Sequence, residues 1–147
     1  MTLRGVFMKI NELLQGMLCS CGRHHRCDIQ YVAIGSNAIA QLEDLVKEYN
    51  RILLVADENT YAAAGEKTEN ALAGKNYRKV IFSGKNLLIP NEEAINCVTK
   101  ELQDAELIIG IGSGVIQDLC KYVSHISAIP YYVVATAPSM DGYASSG

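Results

Sequence analysis

Gly110-Ile111-Gly112-Ser113-Gly114 is a turn that lets a backbone come close to something. Glycines bend sharply and carry no Cβ to hold a bound group away. The helical pattern that follows would offer unpaired N–H groups and a positive dipole end, which suits a phosphate. Asp118 falls in the first turns of that helix, where a carboxylate is favourable and can hydrogen-bond the loop. The run is not G-x-G-x-x-G, and glycines also serve tight packing of helix on strand. The turn alone therefore leaves a phosphate cradle and a packing device both open.

Other residues could share that chemistry. Asp57 closes the apolar run 52–56. A strand-end Asp can accept both hydroxyls of a ribose, or it can cap the next helix, and capping is the commoner role. The usual dinucleotide fingerprint puts its acid about 20 residues after the glycines, whereas Asp57 precedes them. Thr136 and Ser139, in the polar loop 135–146, can donate hydroxyls to phosphate or ribose. Asp141 precedes Gly142, so it is either an Asx turn or an exposed carboxylate facing substrate. Its place beyond the carboxyl end of a strand favours the second.

Cys19, Cys21, His24, His25 and Cys27 lie within nine residues and carry the side chains zinc uses. Yet C-x-C-x2-H-H-x-C is not a standard ligand spacing, and no second Cys/His pair follows. A packed or exposed turn is the favoured reading, and no metal ligand is assigned. Cys97 and Cys120 fall on helical patterns as expected buried residues. His125 falls near a helix end, as a charge partner for the dipole.

The elements that must position these residues alternate. Strand patterns fall at 29–34, 52–56, 79–82, 107–111 and 131–135, rich in Val and Ile and bounded by Gly, Pro, Asp or Asn. Helical patterns fall at 37–49, with Ser36 or Asn37 as cap, and at 58–72, 92–102 and 115–125. The alternation implies an α/β fold, a parallel sheet with flanking helices. Nearly all-apolar strands at 107–111 and 131–135 suit a sheet covered on both faces. A further amphipathic helix is expected at about 5–18, read as structural rather than as a signal peptide.

The 147 residues are one domain by size, with 49% hydrophobic and 20% charged residues. A net charge of −3 with no basic block argues against a nucleic-acid surface. No apolar run approaches the roughly 18 residues of a membrane helix. Five cysteines with no secretory signature lead to the expectation of a reducing cytoplasm.

The run GIGSGVIQD, a strand, and then TAPSMDGYASS resembles the sn-glycerol-1-phosphate dehydrogenases, particularly their bacterial branch. More broadly it is similar to the glycerol dehydrogenase and dehydroquinate synthase-like superfamily. The likeness spans about residues 19–146 and includes ADENTY and CSCGRHHRCDI. TAPSMDGYASS is its specific part, and the glycine turn is shared more widely.

The resemblance implies a two-domain enzyme. A Rossmann-like N-terminal domain binds NAD or NADP. A helical domain supplies an Asp and two His ligands to a divalent metal, zinc or nickel. The implied reaction is hydride transfer between the nicotinamide and a phosphorylated triose, dihydroxyacetone phosphate, giving sn-glycerol 1-phosphate. Carried across, Gly112, Ser113 and Gly114 would cradle the pyrophosphate, with Asp118 supporting the turn. Asp57 would bind the adenosine ribose, favouring NAD over NADP by charge repulsion. Thr136 and Ser139 would line the cofactor pocket, and Asp141 would be the catalytic residue facing the substrate hydroxyls.

Residues 1–147 would then be the nucleotide-binding domain, with the helical metal-binding domain absent from this chain. Such a chain is expected to bind cofactor without turnover. Its uncovered face would favour self-association into a homo-oligomer. A glycerol or other polyol dehydrogenase, and a non-catalytic nucleotide-binding module, are the alternative readings.

Overall fold

A computed structural model describes residues 14–25 and 28–138. Two short strands, β1 (Met17–Leu18) and β2 (His24–His25), pair as an antiparallel hairpin. A 3-10 turn (Ala38–Gln41) leads into the single turn of α1 (Leu42–Leu45). The chain then alternates: β3 (Arg51–Asp57), α2 (Glu58–Ala71), β4 (Asn76–Phe82), α3 (Glu92–Leu102), β5 (Leu107–Ile111), α4 (Gly114–Ser127) and β6 (Tyr131–Val134).

β3 to β6 form one parallel sheet in the order β4-β3-β5-β6. The central strands are apolar because both their faces are covered. Ile52, Leu54 and Ala56 of β3, with Leu107, Ile109 and Ile111 of β5, pack with Leu42, Val46 and Leu72 on the face of α1 and α2. Leu53, Val55 and Ile108 point the other way, onto Ala94, Val98 and Leu102 of α3 and Ile116, Leu119, Cys120 and Val123 of α4. Each large side chain so enclosed contributes about 1.5–3 kcal/mol relative to exposure.

This division of helices fixes the functional geometry. From β3 the chain crosses through α2 to the outer strand β4. It returns through α3 past β3 to β5, then moves outward through α4 to β6. Reversing direction moves the crossover helix to the other face, as right-handed connections require. β3 and β5 are thus neighbours whose following helices lie on opposite faces.

The amino edge of the sheet is tied by charge. Arg51 pairs with Glu106 (2.5 Å) and Asp104 (3.2 Å), and Arg78 pairs with Asp104 (3.0 Å). Glu106 also accepts the backbone N–H groups of Asn50 and Arg51 at 2.7 and 3.1 Å. Those amides, then the Arg51 guanidinium, hold its carboxyl below the usual range. These groups are partly exposed, so each pair alone is worth little.

Several elements differ from expectation. Residues 29–34 form no strand. β propensity reflects fit to a pleated, half-buried surface, and no described strand flanks them to supply one; Ile34 is 80% exposed. Most of the expected helix at 5–18 lies outside the described residues. Its last residues are β1 instead, because Gly16 takes a φ of +80° and turns the chain. The helix at 37–49 contracts to the 3-10 turn and α1. Tight i→i−3 bonds from Lys47 to Asp44 and from Tyr49 to Val46 unwind it before β3, and Asn37 makes no side-chain cap. β4 starts at Asn76, ahead of the expected 79, because β3 pairs with it along its whole length.

Candidate nucleotide-binding site

The last register pair between β3 and β5 is Ala56 with Ile111. Adjacent strands lie about 4.8 Å apart, so Asp57 and Gly112 leave the sheet side by side. In open α/β sheets the ligand crevice forms where neighbouring strands send their connections to opposite faces. That point here lies between Asp57 and the glycine turn.

The turn is anchored on both sides. The Gly112 N–H donates to the Val134 carbonyl at 3.0 Å, and the Gly112 carbonyl accepts the Thr136 N–H at 3.4 Å. Gly112, Ser113, Gly114 and Thr136 are therefore brought together. A Cβ on Gly112 would stand 2.8 Å from Ile116 Cβ, and one on Gly110 would stand 2.9 Å from Cys120 Sγ. Packing of α4 on β5 thus accounts for both glycines, and it draws the start of α4 against the strand end. Gly114 adds a positive φ of +37°.

The helices that start at this edge differ in how they start. α2 is capped by Asp57, whose Oδ1 accepts from the N–H groups of Asn59 (2.8 Å) and Thr60 (2.9 Å). Thr60 Oγ1 accepts the Asp57 N–H in return at 3.1 Å, completing a capping box. Asp57 is therefore a cap; both cap bonds use Oδ1, and Oδ2 takes no part in them. α3 is capped by Asn91, which accepts from the Ala94 N–H at 3.0 Å. Ser113, at the start of α4, has extended backbone and makes no side-chain cap. The α4 start is thus not closed by a side-chain cap of its own, although the Ile116 N–H donates to the Ser113 carbonyl at 3.1 Å.

Spacing alone did not single out three further groups. Glu58 Oε2 accepts the Gly84 N–H at 2.9 Å, and Asn59 Nδ2 donates to the Gly84 carbonyl at 3.2 Å, which docks the β4–α3 loop on the start of α2. Gln117, three residues before Cys120, is fully buried. Its spacing on the apolar stripe was the available signal. Asp118, expected to support the turn, is exposed. It lines a groove of about 560 Å³ between α3 and α4 with Asn91, Ile95 and Tyr122. One residue rotates a helical position by about 100°, so Gln117 turns inward and Asp118 outward. Ser139 and Asp141 lie outside the described residues.

Of the two cysteines expected to be buried, one differs. Cys97 is exposed and Cys120 is buried, with burial pushing the Cys120 thiol up to about 12. Cys97 sits one residue before Val98, on the side of α3 turned away from the sheet.

The profile of the iron-containing alcohol dehydrogenases matches residues 33–147. The chain belongs to this family. Among its relatives is a Geobacillus stearothermophilus protein named glycerol-1-phosphate dehydrogenase (NAD(P)+), 28% identical over 137 residues, covering 88% of this chain and 34% of that protein. A Halalkalibacterium halodurans protein of the same name is 30% identical over 142 residues, covering 88% and 34%. This iron-containing alcohol dehydrogenase family chain thus spans about a third of the length of the curated relatives it matches. Its fold is that of glycerol dehydrogenase from Schizosaccharomyces pombe, at a TM-score of 0.60 and 22% identity over 72% of this chain and 28% of that one.

Proposed function

We propose that this chain is the NAD(P)-binding portion of a metal-dependent dehydrogenase that interconverts dihydroxyacetone phosphate and sn-glycerol 1-phosphate. The observation that carries the reading is the switch point between β3 and β5. There a strand-end carboxylate stands beside a helix N-terminus that has no side-chain cap. Relatives named glycerol-1-phosphate dehydrogenase (NAD(P)+) support the substrate class.

The residues fit a dinucleotide. Gly112 lets α4 pack against the strand end, so that its first turn at Gly114, with Ser113 and Thr136 beside it, would meet a pyrophosphate through backbone amides. Asp57 Oδ2 is the oxygen left to accept ribose hydroxyls while Oδ1 keeps the cap. A carboxylate there disfavours the 2′-phosphate of NADP. The bound nicotinamide supplies the hydride, and this chain's part is to hold and orient it. Ser139 is assigned to the cofactor pocket and Asp141 to the substrate hydroxyls. The catalytic zinc or nickel would be held by residues outside this chain, in a separate helical domain. This reading places the enzyme in a reducing cytoplasm, where unpaired thiols persist, with a small phosphorylated triose or polyol as substrate.

The test is a fluorescence titration of the 147-residue chain with NADH, competed separately by ADP-ribose and nicotinamide mononucleotide. The reading expects ADP-ribose to displace NADH, because Asp57 and the glycine turn grip the adenosine diphosphate half. Displacement by the mononucleotide alone would contradict it.

A further inference from the structure

The β1–β2 hairpin brings together side chains that the nucleotide site does not use. Cys19 N–H donates to the Arg23 carbonyl at 2.9 Å, and Gly22 N–H donates to the Cys19 carbonyl at 3.0 Å. Gly22, at a φ of +80°, closes the turn. The result gathers Cys19 Sγ, Cys21 Sγ and an imidazole nitrogen of His25 within 4.8 Å of one another. Cys21 Sγ stands 3.2 Å from His25 Nε2.

We propose that Cys19, Cys21 and His25 form a binding site for a thiophilic divalent cation, zinc, that pins this hairpin. Zn–S bonds near 2.3 Å and Zn–N bonds near 2.0–2.1 Å set tetrahedral ligand atoms about 3.5–3.8 Å apart. The observed ligand atoms all lie within 4.8 Å of one another, with the Cys21–His25 pair at 3.2 Å. Two thiolates and an imidazole are a ligand set that zinc prefers over harder oxygen-seeking cations. Solvent or one further donor completes the fourth position. The irregular sequence spacing is resolved by the hairpin, which returns His25 across from Met17 and beside the Cys19–Cys21 turn.

The hairpin also needs such a centre. Only two residues pair on each strand, Leu18 is 74% exposed, and residues 20–25 are all exposed. A two-stranded ribbon of this kind is marginal in water. Metal binding by ligands gathered only in the folded state contributes its free energy directly to folding.

The test is elemental analysis of the purified 147-residue chain, combined with thiol alkylation read by mass spectrometry before and after chelation. The proposal expects one zinc per chain, lost in both Cys21→Ser and His25→Ala. Cys19 and Cys21 should be protected until the chelator is added. Exposed Cys97 should react in both states and serve as the internal control. Absence of stoichiometric zinc, equal alkylation of Cys19 and Cys21 with and without chelator, or a Cys19–Cys21 disulfide in the reduced preparation would overturn it. So would zinc retained in both variants. NADH binding by the chelated chain reports the nucleotide site separately, so the two readings can fail independently.

Discussion

α2 and α4 begin at the same edge of the sheet, one strand apart, and they begin differently. α2 answers its own orphan amides: Asp57 and Thr60 exchange hydrogen bonds in a capping box, and Glu58 and Asn59 hold the next loop down. α4 has no such closure by Ser113 and starts from a glycine turn packed hard against Ile116 and Cys120. The closed start uses Oδ1 of Asp57 for both cap bonds and leaves Oδ2 out of them. The other start, beyond the end of the neighbouring strand, has no side-chain cap. The proposed function assigns the ribose hydroxyls of a dinucleotide to the first side and its phosphates to the second.

The sharpest way to break the comparison is Gly112→Ala. The new Cβ would meet the branched Ile116 side chain at 2.8 Å, and overpacking of this kind costs about 1–3 kcal/mol. Chemical denaturation should show that loss, and NADH affinity should fall by about tenfold or more, the equivalent of roughly 1.4 kcal/mol. Gly84→Ala is the control on the α2 side. Its Cβ would meet only the amide end of Asn59, at 2.7 Å, which can swing aside, so its stability loss should be the smaller. Equal losses at the two glycines would remove the distinction between the packed start and the adaptable one.

Asp57 sharpens the comparison further. Asp57→Ala should cost about 1 kcal/mol through the lost cap, together with NADH affinity. Asp57→Asn retains capping ability, so its stability should stay within about 0.5 kcal/mol of the parent. NADH binding should still weaken, and discrimination against NADPH should shrink. Unchanged cofactor affinity in the Asn variant would leave Asp57 as a cap only.

The smallest expected effect lies at the far edge of the sheet. Glu106 has its pKa lowered in the folded state by the amides of Asn50 and Arg51. Its contribution is therefore present above the unfolded carboxylate pKa and is lost as pH falls through the lower, folded value. Melting temperatures followed from neutral to acid pH should drop over that range, and less steeply in Glu106→Gln. NADH affinity at neutral pH should not change, because the proposed site lies at the opposite edge. A loss of affinity in that variant would mean that the two edges are coupled.

How much of this was legible in the sequence depends on what each feature needs. β3 and β5 were readable because apolar runs ending in Asp57 and Gly112 can be buried on both faces without any knowledge of their neighbours. The helix at 92–102 was readable from its apolar residues at helical spacing. Residues 29–34 have the same local character as a strand, but a strand also needs a partner, which local pattern cannot supply. The glycine turn and the Asp57 cap were visible as residue types in order. The inward turn of Gln117 and the outward turn of Asp118 were not, because they depend on the phase of α4 against the sheet. The Cys19–Cys21–His25 cluster was obscured for a related reason. Its spacing is irregular along the chain and becomes compact only across a hairpin.

Calorimetric titration of the chain with NADH and with NADPH tests the central claim most directly. A dinucleotide site between Asp57 and the glycine turn predicts saturable binding of NADH, with NADPH weaker because its 2′-phosphate meets the Asp57 carboxylate. Heat of binding for neither nucleotide, from a chain whose circular dichroism shows it folded, would contradict that claim.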